Sequence, residues 1–170
     1  MENSTVIVGD MQVLKSGRSY RSSIGLSWTR SCSNQQMGDL ILAAGILEDI
    51  VEHAKKAYPN EGCGLLAGRQ AAERFIPMTN TCASATEYEM DPAELIGILR
   101  DLRATGEELI AIYHSHPQGP AEPSQTDIQR AHYPDAAQLI VSLAERERPQ
   151  AAAFRIIEGE VLPIEVRVIV

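Results

Sequence analysis

From residue 40 onward the apolar positions fall into short periodic blocks. Ile46, Leu47, Ile50, Val51, Ala54 and Ala57 recur at spacings of three and four, the period of an amphipathic helix, and Pro59 closes the segment. Gly62 to Gly68 is small and apolar throughout, which predicts a buried strand, and Phe75-Ile76-Pro77-Met78 predicts its neighbour. A second helix is marked by Asp91-Pro92-Ala93-Glu94, where Asp91 caps, Pro92 suits the first helical position and Glu94 completes a capping box. Leu95, Ile98, Leu99 and Leu102 form its apolar face, and Gly106 ends it. A strand over 108–114, a short helix from Ser124, and strands near 138–143, 151–158 and 161–169 complete the chain. Strands interleaved with three helices, without a GxGxxG or P-loop word, predict an α/β fold: a single domain with a mixed central β-sheet flanked by helices.

The first 38 residues have another texture. They hold eight serines and four Lys/Arg, and show no sustained period after the patch Val6-Ile7-Val8. They are expected to form a poorly ordered N-terminal extension, with the domain running over 39–170. Met37 opens a segment with the character of a domain start, so a misplaced start explains the extension as well as any function does. Glu2 and Asp10 interrupt the Ser/Arg bias of a transit peptide.

Composition narrows the partners. A chain of 170 residues that is 44% hydrophobic supports one well-buried core. The net charge is −8, and residues 39–170 carry eleven Lys/Arg against 21 Asp/Glu, a balance that repels nucleic-acid phosphates. No apolar run approaches the ~18 residues of a membrane span, so no membrane partner is expected. Cys32, Cys63 and Cys82 are odd in number and widely spaced, which fits neither a disulfide framework nor a CxxC zinc pair and favours a reducing, cytoplasmic setting. Homo-oligomerisation is left open.

The stretch IYHSHPQGPAEPSQTD, residues 112–127, concentrates the candidate chemistry. On a strand, His114 and His116 project from one face about 6.5 Å apart and can converge on one metal ion. Ser124 and Asp127 are three apart at a helix start and share a face, and the loop before them is pinned by Pro117, Pro120 and Pro123. Two imidazoles and one carboxylate are three protein ligands, which leaves zinc the open fourth position of a catalytic site. The base that such a site needs has a candidate in Glu61, within YPNEGCGLLAG. Ser124-Gln125-Thr126-Asp127 is also a good capping box, and the two readings compete for the Asp127 carboxylate.

Glu61, His114-Ser115-His116, seven residues, Ser124, two residues and Asp127 reproduce the Glu…His-x-His-x7-Ser-x2-Asp signature, and the chain resembles the JAMM (MPN+) metalloproteases, in their compact prokaryotic branch, over residues 40–170. That resemblance implies the cytidine-deaminase-like JAMM architecture, one Zn2+ per chain held by His114, His116 and Asp127, water activation by Glu61, and Ser124 holding the water or the oxyanion. It also implies hydrolysis of an amide or isopeptide bond at the C-terminal tail of a ubiquitin-like or sulfur-carrier protein ending in Gly-Gly. Family enzymes dedicated to ubiquitin chains carry inserted segments, and only 52 residues separate Glu61 from His114 here.

Two other functions compete: a hydrolase of small-molecule amides, and a non-catalytic MPN-type binding module, against which the complete ligand set counts. Cys63, two residues from Glu61, could be an extra soft ligand or reactive thiol, although a cysteine between glycines is more often a small buried hydrophobe. His53 and His132 are expected on helical segments without a role. The substrate tail is expected to enter extended beside strand 62–68, with small side chains passing its glycines.

Overall fold

The computed structural model describes residues 12–13 and 38–169. In chain order the elements are β1 (Gln12–Val13), β2 (Leu40–Ala43), α1 (Ile46–Ala57), β3 (Cys63–Gly68), β4 (Arg74–Met78), α2 (Pro92–Thr105), β5 (Glu108–His116), α3 (Gln125–Gln129), β6 (Ala137–Ser142), β7 (Gln150–Ile157), β8 (Glu160–Ile164) and β9 (Val166–Ile169). A mixed seven-stranded sheet runs β1-β7-β6-β5-β3-β4, with β8 also on β7, and β2 and β9 form a parallel pair beside it.

Alternation along the strands divides the sheet into two faces. Leu66, Ala111, Tyr113, Leu139, Val141, Ala151 and Ala153 point toward α1 and the β2–β9 pair, where Leu42, Leu47, Ile50 and Ala54 meet them. Cys63, Leu65 and Ile112 point the other way, toward Leu95 and Ile98 of α2. The same parity puts His114 and His116 on the α2 face.

The helix ends follow local chemistry. Acidic Glu48 and Asp49 in the first turn of α1 and basic Lys55 and Lys56 in its last match the helix dipole. In α2, Asp91 Oδ1 accepts from the backbone N–H groups of Ala93 and Glu94, both at 2.9 Å, and Gly106 closes the helix at φ 69°. Glu94 does not complete a capping box. Its carboxylate instead accepts from the Thr79 N–H and hydroxyl at 3.1 and 2.8 Å, tying α2 to the end of β4, and the Asp91 N–H goes to the Thr79 carbonyl.

Other expectations need correction. The strand expected at 161–169 breaks at Glu165: β8 pairs with β7 while β9 crosses to β2, and the Leu40 N–H bonds the Glu165 carbonyl at 2.8 Å. β2 itself was not anticipated, because Leu40-Ile41-Leu42-Ala43 runs straight into the apolar stripe of α1. His132 lies in the loop after α3, not on a helix.

Strand β3 offers no free edge to a substrate tail, since it lies between β4 and β5. Its glycines serve the protein's own packing. A Cβ on Gly64 would stand 2.6 Å from Phe75 and 2.7 Å from the Ile76 carbonyl.

Of the N-terminal extension, Gln12–Val13 pairs with Gln150 and Ala151, the part of β7's edge that β8 leaves open. The patch Val6-Ile7-Val8 lies outside the described residues.

Candidate metal centre

Pairing between β3 and β5 assembles one side of the site. Cys63 stands opposite His114, the Ser115 N–H bonds the Gly62 carbonyl at 2.9 Å, and the Gly62 N–H bonds Ser115 Oγ at 2.8 Å. The same register carried one pair further sets Glu61 across from His116. Glu61 is 4% exposed, and its backbone is held from outside the strand: its N–H bonds the Ser84 carbonyl at 2.8 Å, and its carbonyl accepts from Asn80 Nδ2 at 2.9 Å.

The other side comes from α3. Ser124 Oγ accepts from the Asp127 N–H at 3.2 Å and Asp127 Oδ2 accepts from the Ser124 N–H at 2.7 Å, a complete capping box. Of the two readings that compete for Asp127 the cap is formed, and a carboxylate that caps still has lone pairs to offer a metal ion. While capping the helix, it sets Oδ1 3.4 Å from His114 Nε2 and Oδ2 3.5 Å from His116 Nε2.

The two imidazole Nε2 atoms lie 3.2 Å apart. His116 Nδ1 is 2.7 Å from the Pro120 carbonyl, which can only accept, so Nδ1 carries the hydrogen and Nε2 of the neutral ring presents a lone pair. His114 is held differently: the Tyr88 ring stacks on it at 4.7 Å between centroids, 21° from parallel, and its buried Nδ1 has no partner among the described residues. Two imidazole nitrogens 3.2 Å apart therefore converge with the two oxygens of one carboxylate, Oδ1 at 3.4 Å from His114 and Oδ2 at 3.5 Å from His116. An ion in tetrahedral coordination with bonds of about 2.0–2.1 Å has ligand atoms roughly 3.3–3.4 Å apart. The residues present fit such an ion.

The electrostatics are those of a buried, mutually dependent group. Burial pushes the Glu61 carboxyl up to about 7, against the pull of His116. Burial works the same way on Asp127, but the adjoining His114 and His116 rings outweigh it and hold the carboxyl well below the usual range. Burial drives the His114 pKa down. For His116 burial is outweighed by Asp127 and the Pro120 carbonyl, and the pKa rises.

A family profile described as prokaryotic homologues of the JAB domain matches residues 43–157. This chain belongs to that family. Among similar proteins, the CysO-cysteine peptidase of Mycobacterium tuberculosis is 37% identical over 133 residues, 76% of this chain and 91% of that protein. A probable TtuB-protein conjugate cleaving protease of Thermus thermophilus is 45% identical over 95 residues, 55% of this chain and 64% of that protein. The solution structure of protein DSY2949 from Desulfitobacterium hafniense superposes with a TM-score of 0.70 at 36% identity, covering 76% of this chain and 92% of that one.

Of the residues singled out in the sequence, His114, His116 and Asp127 meet, Ser124 adjoins through the capping box and Glu61 faces His116. Cys63 stays apart. It is fully buried among Leu65, Met78 and Ile112, and burial pushes its thiol up to about 12. His53 is half-buried, edge-on to Phe75 and Tyr113. Tyr88, Asn80, Ser115 and the Pro120 carbonyl, which hold the site, went unnoticed in the sequence. Ser115, inside the His-x-His word, was the one with a readable signal, since a polar residue on the core face of a strand needs a partner.

Proposed function

We propose that this chain is a zinc-dependent peptidase that hydrolyses an amide or isopeptide bond at the C-terminal tail of a ubiquitin-like or sulfur-carrier protein. The observation that carries it is the triangle of His114 Nε2, His116 Nε2 and Asp127, sized for a tetrahedral ion and facing a buried glutamate. His114, His116 and Asp127 would hold one Zn2+. Zinc bound there supplies Lewis acidity, which acidifies water and polarises a carbonyl.

Glu61 takes the proton of the attacking water and returns it to the leaving amine, a task suited to a carboxyl near neutrality. The Ser124 oxygen accepts the Asp127 N–H, which leaves its hydroxyl hydrogen free to donate to the scissile carbonyl oxygen as that oxygen becomes negative. Tyr88 shields one face of His114.

The names of the Mycobacterium and Thermus relatives, a CysO-cysteine peptidase and a TtuB-conjugate protease, support a carrier-protein substrate. No helix among the described residues is long and apolar enough to cross a membrane. The free Cys63 and Cys82 favour a reducing cytoplasmic setting. His114 is wholly buried and His116 nearly so, so the scissile bond must reach a recessed centre. A Gly-Gly tail suits that approach, with no side chains beside the bond.

Zinc-loaded protein should be given matched carrier adducts whose tails end in Gly-Gly or in Val-Val. Cleavage of the Gly-Gly adduct alone is expected. Equal cleavage of both would rule out the recessed-site argument, and cleavage of neither would favour a small amide as substrate.

A further inference from the structure

Ser142 ends β6 as the register partner of His116, is 4% exposed, and has no part in the chemistry proposed above. Its Oγ lies 2.6 Å from the Gly119 carbonyl. A carbonyl only accepts, so the hydroxyl hydrogen is committed to Gly119, and the oxygen takes the Ala144 N–H at 3.3 Å. On the far side of Pro120, Ala121 is fully buried against Ile140, Ala152 and Phe154. Pro120 is thus held between two anchors, a hydrogen bond at the residue before it and packing at the residue after. Its carbonyl is the group that accepts from His116 Nδ1 at 2.7 Å.

We propose that Ser142 is a positioning residue for the metal centre: by pinning Gly119 it aims the Pro120 carbonyl at His116 Nδ1, and so keeps Nε2 facing the position it shares with His114 and Asp127. Partners that orient metal-bound histidines typically govern affinity by 10–100-fold when they are direct. Ser142 acts one bond further out, at the lower end of that range.

The inference rests on the zinc reading, and its test keeps the two apart. The Zn2+ dissociation constant is measured by chelator competition in wild type and in Ser142→Ala, Ser142→Cys and Ser142→Thr, alongside the melting temperature of each metal-free protein and the visible spectrum of each Co2+ form. Ala and Cys should weaken zinc about tenfold and alter the Co2+ spectrum, while Thr, which keeps the hydroxyl, should restore affinity to within about threefold. Leu139→Val, on the opposite face of β6, should lower melting temperature without changing affinity. Ala and Cys variants that melt early but bind zinc like wild type would make the hydrogen bond purely structural and overturn the proposal. Absence of zinc binding in wild type itself would overturn the zinc reading, and the Ser142 role with it.

Discussion

At the scale of single residues, Glu61 and Ser124 are separable from the proposed metal ligands. Glu61→Gln keeps size and hydrogen-bonding capacity but not proton transfer, so it should retain metal and lose about 10²–10⁴-fold in turnover. Retained turnover would place the base elsewhere. Ser124→Ala should cost less, about 10²–10³-fold. Glu61 also leaves a signature in the metal-free protein. Its folded-state pKa, about 7, stands above the 4.5 of an unburied glutamate, so the folded state binds the extra proton between those values. Its contribution to stability is full below pH 4.5 and is lost as pH rises through 7. Denaturant titrations should therefore show wild type losing stability relative to Glu61→Gln across that window, and parallel profiles would contradict a buried, neutral carboxyl. The clustering of His114, His116 and Asp127 was legible in the sequence because strand and helix periodicity fix which side chains share a face. The residues that orient them were not, because Tyr88 and the Pro120 carbonyl act through a loop path that no period encodes.

At the scale of elements, caps and glycines carried most of what could be read. Asp91 marked the start of α2 correctly because a capping side chain acts within its own turn, whereas Glu94 was drawn away by Thr79, a partner fifteen residues off. Asp91→Ala should cost about 1 kcal/mol of stability and leave zinc binding untouched. Gly64→Ala should be worse, lowering stability by about 1–3 kcal/mol, because a Cβ there meets the Phe75 ring and the Ile76 carbonyl. Thermal melts of the metal-free variants rank the two, and a Gly64→Ala protein as stable as wild type would show that β4 can give way. The β2–β9 pair was missed for a different reason: parallel pairing joins Leu40–Ala43 to Val166–Ile169 across nearly the whole domain, and local pattern carries no information about so distant a partner.

For the molecule as a whole, the α/β architecture follows from strands alternating with amphipathic helices, and every proposed site residue lies beyond residue 60. Removing residues 1–38 should leave folding and zinc binding intact, at the cost of the short Gln12–Val13 pairing on β7. An insoluble or metal-free truncated protein would make the extension part of the core. Whether His114, His116 and Asp127 form one zinc site is decided by metal analysis of the purified protein. One zinc per chain is expected in wild type and essentially none when His114 and His116 are both replaced by alanine; stoichiometric zinc in the double variant would rule the site out.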